Sequence, residues 1–405
     1  VILPLLALSV AALQAAAQED VVGPREPRPT APVDRAEVAR AVDEYLAASR
    51  PPAPPSAWER ALARLTLYGD FRLRAEADLR GDDTPDRERF RQRTRLGVNY
   101  EFRDDLLFGV RVVTGDPDDP NSSATTFSDG FDDIELSLDR AFLQWRPRGA
   151  PGLTLTGGKF TQGWRVDPIY GELVWDADIQ PEGARLDWSW SGEGRVRRVD
   201  VHLGQYVASE HSQATDAYNT QVQVDARLAL SPQWSLDAAL GYYAVTNPDA
   251  LFDRNRGNAT RDASGGGMPD AYASEFSILN PILTLERPVR GLPLHLSLQS
   301  FSNLRAASGR DTGYSVGAAL GRMREKGDWR GYLQWMRIEQ DAVFSPFAQD
   351  DFLEATNFSG AVMGARYQVA DGVGLHLWTL VTDPLTGPTP EDPSWRLRLD
   401  LDMRF

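Results

Sequence analysis

From Arg64 onward the chain alternates apolar and polar residues with a period of two. In LTLYGDFRLRAEADL, Leu65, Leu67, Phe71, Leu73, Ala75, Ala77 and Leu79 share one parity, and Thr66, Asp70, Arg72, Arg74, Glu76 and Asp78 share the other. Period two describes a strand with one apolar and one polar face. Some fifteen residues of it are long for a soluble strand and suit a tilted strand crossing a bilayer. The pattern returns in QVQVDARLAL, WSLDAALGYYA and LHLSLQS. It is cleanest in WRLRLDLDMRF, where Trp395, Leu397, Leu399, Leu401, Met403 and Phe405 lie on one face and Arg396, Arg398, Asp400, Asp402 and Arg404 on the other. A fully charged face opposite an apolar one needs water on one side and lipid or core on the other. A closing strand of a soluble sandwich rarely sustains it.

Strands are predicted near 65–79, 91–103, 105–114, 134–146, 152–161, 183–190, 196–207, 219–230, 233–245, 275–287, 293–301, 312–323, 328–339, 357–369, 372–382 and 394–405, the tenth interrupted by Pro281. The expected fold is all-β, a closed antiparallel transmembrane β-barrel of about 16 strands. The connections support closure independently, because they alternate: those at 103–105, 147–151, 191–195, 231–232, 288–292, 324–327 and 370–372 are tight, and the others are longer. Periplasmic turns are short and extracellular loops long in such barrels, so both termini are expected in the periplasm of an outer-membrane protein.

Ahead of the barrel the period changes. Residues 1–17, VILPLLALSVAALQAAA, are a short apolar run ending in small residues, as in a secretory signal peptide whose charged start is missing from this sequence. Residues 18–57 read as a periplasmic segment. Asp34 and Glu37 have capping-box spacing, and Val38, Ala41, Val42 and Tyr45 repeat at helical spacing, predicting a short helix over 34–49 that RPPAPPSA ends. Two roles stay open for it, a loosely docked solvated helix or a small self-associating coiled coil. The barrel is assigned to 58–405.

Composition narrows the partners. Over 405 residues the formal net charge is -15, which argues against nucleic acid. Mean hydropathy is -0.39, low for helical membrane proteins but compatible with strands that show lipid only alternate residues. The chain has 11 Trp and no Cys, so amphipathic rings are available for membrane interfaces, and disulfides and thiolate metal sites are excluded. No phosphate-binding or dinucleotide pattern occurs, and neither cofactor nor metal is expected.

The Arg-rich second strand RFRQRTRLGVNYEF, a third strand ending in VVTGDPDDPNSS, then LDRAFLQWRP, LTLTGGKF and LVWDADIQPEGARLDW follow one another over residues 89–188. In segments and in order this resembles the putative porin family of Gram-negative bacteria. The resemblance implies a sixteen-stranded outer-membrane pore, a passive diffusion channel for small hydrophilic solutes or ions, with no catalytic residues. It also implies a homotrimer, by analogy with general porins, in contact with outer-membrane lipid and lipopolysaccharide. The apolar face Trp395, Leu397, Leu399, Leu401, Met403 and Phe405, ending on an aromatic residue, resembles the C-terminal signal read by the barrel-assembly machinery.

In general porins the third long loop folds inward. By resemblance, the loop over 161–181 is the constriction candidate. It supplies Asp167, Glu172, Asp176 and Asp178, with Trp164, Tyr170 and Trp175 to anchor it. Facing it, the polar parity of the strands offers Arg72, Arg74, Arg93, Arg95 and Arg111, joined by Arg185 and Arg227. Opposed acidic and basic groups set up a transverse field, or simply brace each other in a wet lumen; both can hold. The acidic loop suggests a preference for cations.

Other chemistry has weaker signals. The acidic stretches GDPDDPNSS and SDGFDDIE lack calcium-loop spacing and read as solvated loops, and DRNRGNATRDASGGGMPD reads as a mobile extracellular loop. His202, His211, His295 and His376 fall on separate elements without a metalloprotease or nucleophile-elbow pattern. Two other readings fit the pattern less well: a plugged barrel tethering the envelope through the 34–49 helix, and a rim-site hydrolase.

Overall fold

The computed structural model describes residues 35–48, 56–115, 121–127, 133–387 and 392–405. The expected signal segment, Asp34, and most of both acidic stretches lie outside the described residues. The chain divides into two units, Val1–Glu59 and Arg60–Phe405. In the first, helix α1 (Arg35–Ala48) occupies the stretch with helical periodicity, and Val38, Val42 and Tyr45 are all exposed on it. Helix α2 (Ala57–Leu62) opens on a capping box in which Ser56 Oγ accepts from the Glu59 N–H at 3.2 Å and Glu59 Oε2 from the Ser56 N–H at 2.6 Å. No helix among the described residues is long and apolar enough to cross a membrane.

The second unit is one closed antiparallel sheet. Its strands are β1 (Leu65–Leu79), β2 (Arg87–Arg103), β3 (Leu106–Thr114), β4 (Leu136–Trp145), β5 (Leu153–Lys159), β6 (Glu182–Ser191), β7 (Val196–Ser209) and β8 (Ala217–Ala229). They continue as β9 (Ser235–Thr246), β10 (Phe276–Val289), β11 (Leu292–Asn303), β12 (Thr312–Gly321), β13 (Trp329–Ile338), β14 (Phe358–Ala370), β15 (Val373–Pro384) and β16 (Ser394–Arg404). A two-residue piece, Thr125–Thr126, lies beside β2. Each strand pairs with its chain neighbours, and β16 closes on β1 from Asp70↔Arg404 to Leu79↔Trp395.

Every expected strand is present. The largest displacement is at β2, which begins at Arg87 instead of 91 because its ladder to β1 runs on to Asp78↔Arg87. The RERF stretch is too charged for alternation to reveal it. Strand β10 continues through Pro281, and its ladder to β11 skips Asn280 and Pro281, where proline has no N–H to donate. Tight turns hold one end of the barrel: Arg290 and Gly291 both adopt positive φ (51° and 80°), the left-handed pair that a two-residue hairpin requires.

Outward residues are apolar and exposed, with Leu67, Leu377, Leu399, Trp395 and Phe405 among them, so the wall presents its greasy face to lipid. The packed core lies inside the lumen. Toward the long-loop end, inward Tyr243, Val245, Phe276, Ile278, Phe301, Met336, Ile338, Phe358 and Leu380 form one cluster with apolar side chains of three infolded loops, 160–181, 247–275 and 339–357.

Candidate functional site

The inward face of β16, β1 and β2 is almost wholly charged. Across the seam, five successive inward rungs oppose unlike charges: Asp70↔Arg404, Arg72↔Asp402, Arg74↔Asp400, Glu76↔Arg398 and Asp78↔Arg396. Arg74 grips Asp400 with two bonds of 2.7 and 2.9 Å, and Arg396 grips Asp78 with bonds of 2.5 and 3.1 Å. Arg398 pairs with Glu76. Toward β2 the pattern differs, since Arg72 faces Arg93 and Arg74 faces Arg91. Arg93 and Arg95 share Asp70 at 2.8 and 2.7 Å, and Arg91 donates to Ser122 Oγ at 2.5 Å and the Ala124 carbonyl at 3.0 Å.

Loop 160–181 stands opposite this face. Its apolar residues take it into the lumen: Trp164 meets Tyr243 edge-on at 6.2 Å and Trp175 lies 4.7 Å from Phe347. Backbone anchors fix its course, with the Arg165 N–H on Gln223 Oε1 (2.6 Å), the Tyr170 N–H on Gln334 Oε1 (2.9 Å) and Arg330 on the Pro168 carbonyl (2.6 Å). Loop 339–357 is also infolded, and the two loops are joined by backbone bonds from the Asp176 N–H to the Phe347 carbonyl (2.7 Å) and from the Gln349 N–H to the Glu172 carbonyl (3.0 Å). Tyr170 donates its hydroxyl to Asp351 at 2.9 Å. From the seam, Arg396 holds the Asp351 carbonyl at 2.5 Å and Arg398 pairs with the Asp351 carboxylate.

Loop 247–275 supports the same joint through Arg256 and Asn258, while residues 261–270 of it are exposed. Arg256 donates to the Ala348 and Gln349 carbonyls, both at 2.9 Å, and Asn258 donates to the Gln340 and Val343 carbonyls, both at 2.8 Å. These infolded segments need side-chain donors because their own carbonyls have left both water and sheet.

The loop carboxyls divide into two groups. Burial, then the Asp351, Asp178 and Asp350 charges, pushes Glu172 up to about 8. Burial also raises Asp176 well above the usual carboxylate range, with Glu172 adding to the effect, and takes Asp350 up to about 6. Burial opposes ionisation of Asp178 and Asp351 too. There Arg93, Arg72 and Arg95 outweigh it for Asp178, and Arg398 and Arg74 for Asp351, so both stay below the usual range.

Between the two walls lies a cavity of about 300 Å³. Its lining carries Arg72, Arg74, Arg91, Arg93, Arg95, Arg366, Arg398 and Arg404 against Glu172, Asp176, Asp178, Asp350, Asp351, Asp400 and Asp402. A second cavity of about 230 Å³ shares Arg366, His376, Asp402 and Arg404 with it and reaches the short-turn end at Met323, Arg324 and Gly372. The charged lining is therefore continuous from the narrow gap to that mouth.

A sixteen-stranded barrel narrowed by infolded loops opposite an arginine face is the architecture of a pore, and the family model described as putative porin matches residues 80–278 and 294–405. The chain belongs to that family. No curated protein matches the porin. Among solved structures it is similar to OprB of Pseudomonas putida, with 12% identity, 85% of this chain and 96% of that one covered and a TM-score of 0.56. It is also similar to OmpF of Salmonella typhi, solved in complex with daunomycin, with 11% identity, 84% and 97% coverage and a TM-score of 0.52. These likenesses carry the fold alone. The porin is an outer-membrane channel and not an enzyme.

Of the residues singled out from the sequence, Glu172, Asp176, Asp178, Arg72, Arg74, Arg93 and Arg95 meet in the gap. Asp167 lies away from it, bonded to Ser297 of β11 and to the Ile169 N–H at 2.8 Å. Arg111 holds Asp139 at 3.0 Å, where a register shift in the β3–β4 ladder displaces that residue. Arg185 pins the start of the loop through the Thr161 carbonyl (2.7 Å), and Arg227 pairs with Glu286 (2.6 Å) on β10. The parity that selects Arg93 and Arg95 also selects Arg91. Asp350 and Asp351 gave no such signal, because nothing local distinguishes an infolded loop from a solvated one.

The histidines stay dispersed. His376 bonds the Tyr332 hydroxyl at 2.6 Å, His202 contacts Asp187 at 2.6 Å, and the ring of His211 contacts Ser209 at 2.9 Å while Asp216 accepts from the His211 backbone. His295 faces the lumen from β11.

Proposed function

We propose that this porin passes small hydrophilic solutes through the gap between the arginine face and the joined loops 160–181 and 339–357, with a preference for anions. The lining carries this reading. Its arginines outnumber its carboxylates, and Glu172, Asp176 and Asp350 are the loop acids that burial and their acidic neighbours push above the usual carboxylate range. A narrow passage with low-dielectric walls amplifies such an imbalance. The preference for cations suggested by the acidic loop alone gives way to this balance. Reversal potentials across planar bilayers under a KCl gradient test it: a shift toward the chloride potential supports anion preference, and a shift toward potassium rejects it.

The plugged-barrel reading retains one supporting observation, the apolar packing that fills the long-loop half of the lumen. Single-channel recording separates the two. Stepwise ohmic openings support conduction, and silence from folded protein supports the plug.

We further propose that both termini face the periplasm, on the side of the short turns, and that the exposed apolar face of β16 ending at Phe405 engages the assembly machinery. Lipid and lipopolysaccharide would cover most of the outer wall. A homotrimer is favoured by β5, which spans seven residues where a tilted strand needs roughly 9–11 to cross the hydrocarbon. Beside it the outer wall has an apolar groove of about 830 Å³ lined by Leu143, Leu155, Leu186 and Leu203. A neighbouring protomer satisfies such a low wall better than lipid does. Native mass or cross-linking in detergent tests this, with a monomer rejecting it.

A further inference from the structure

Two consecutive inward rungs of the β1–β2 ladder set arginine against arginine, Arg72↔Arg93 and Arg74↔Arg91. Like charges directly opposed across strands are destabilising. Two of the four are compensated, Arg74 by Asp400 and Arg93 by Asp70. The other two have carboxylates nearby but hold none of them in a hydrogen bond or ion pair among the described residues. Among the described residues Arg91 has only neutral acceptors, the Ser122 hydroxyl and the Ala124 carbonyl, and its buried Nε has no hydrogen-bond partner. Arg72 makes no hydrogen bond or ion pair among the described residues, although Asp402 is its rung partner across the seam.

Arg72 and Arg91 are diagonal neighbours on adjacent strands, with backbones roughly 7–8 Å apart, a separation that long side chains close readily. Both line the 300 Å³ cavity. Guanidinium forks match oxyanions in geometry as well as charge. Arg366 and Arg404 line both this cavity and the mouth beyond it, extending the cationic surface toward the short turns. On the facing loops, burial opposes ionisation of Glu172, so that carboxyl does not cancel the excess below about pH 8.

We infer that the gap is a saturable binding site for a small, doubly charged oxyanion bridged by Arg72 and Arg91. This rests on the channel reading above and names its solute class. One bridging dianion supplies what two crowded guanidiniums lack, whereas a monoanion satisfies only one of them.

The test uses the full chain in planar bilayers carrying a KCl current, with hydrogen phosphate or succinate added at about pH 7, where a phosphate group is largely doubly charged and Glu172 still holds its proton. Each dianion is expected to reduce the current saturably at concentrations where acetate does not. Arg72→Gln and Arg91→Gln should each weaken that block by about tenfold or more. Arg227→Gln, on an arginine paired with Glu286 away from the gap, should leave it unchanged. Folding of each variant is checked by its heat-modifiable migration on detergent gels. Block by phosphate alone assigns a tetrahedral dianion, and block by succinate alone assigns a dicarboxylate; either supports the site. Normal KCl openings without saturable block by either dianion, or a block unchanged in both gap variants, would overturn it. Absence of KCl openings from folded protein would instead reject the channel reading beneath it.

Discussion

Arg398 of the closing strand pairs with Asp351 of the infolded loop 339–357, and both are buried in the lumen. The same guanidinium pairs with Glu76 across the seam. One side chain thus fastens the closure of the barrel to the loop that narrows it. It also lies 4.6 Å over the Trp378 ring, which fixes its plane.

Removing this fastener should loosen the loop and widen the gap. Arg398→Gln removes the cation shared by Glu76 and Asp351, leaving Glu76 to Arg89 and Asp351 to the Tyr170 hydroxyl, a change that costs roughly 1–3 kcal/mol. The expected outcome is a lower urea midpoint for unfolding from lipid vesicles together with a larger unitary conductance. A variant that loses stability without gaining conductance would show that loop 339–357 does not limit the pore.

The seam should tolerate inversion of a rung but not half of one. Asp78→Arg alone sets like charge against Arg396 and should impair folding, whereas Asp78→Arg with Arg396→Asp restores an unlike pair. Refolding yield into vesicles measures this. Equal yields for the single and double variants would mean that register is set by the alternation of apolar residues without help from the charges.

Selectivity should depend on pH through the facing loops. In the folded protein Glu172 keeps its proton up to about 8, against the ordinary 4.5, and Asp350 keeps its proton up to about 6. As pH rises through these values the gap gains negative charge, so anion preference should be strongest below about pH 6 and decline toward about pH 9. Stability should move the same way, because between 4.5 and 8 the folded state binds a proton that the unfolded chain has released. Reversal potentials and urea midpoints across this range read both, and a pH-independent reversal potential would reject the assignment of these carboxyls to the gap.

Asp178 and Asp167 belong to the same loop but should behave differently. Asp178, bonded to Ser123 at 2.9 Å and 3.7 Å from Arg95, balances the arginine face, so Asp178→Asn should shift the reversal potential further toward anions. Asp167 faces Ser297 instead, so Asp167→Asn should leave selectivity unchanged and cost about 1–3 kcal/mol of stability.

Gly69 should tolerate no side chain. Its backbone exchanges hydrogen bonds with Phe405, and a Cβ added there would come within 2.7 Å of the Phe405 ring and 2.5 Å of the Arg95 carbonyl. Gly69→Val should therefore reduce refolding yield, and adding Phe405→Ala should recover little, because the clash with the β2 backbone persists.

The barrel was legible because its rules are local. Alternation identifies each strand and assigns its faces, and turn length separates the two ends. The seam was legible as well: laid antiparallel, the inward residues 70, 72, 74, 76 and 78 oppose 404, 402, 400, 398 and 396 with unlike charge at every rung. A weaker signal lay in stretches apolar at both parities, such as GYYAV, where Tyr243 and Val245 face inward to the loops while Tyr242 and Ala244 face out. An open aqueous lumen would not need them.

The sequence by itself determined the closed sheet, its strands and the charge of each inward position, since these follow from residue spacing along a strand whose geometry is fixed. Only the tertiary structure decided that loop 339–357 joins loop 160–181, that Asp350 and Asp351 enter the gap in place of Asp167, and which arginines hold no carboxylate in a hydrogen bond or ion pair among the described residues. Those outcomes depend on contacts between segments far apart in the chain, and no local period encodes them.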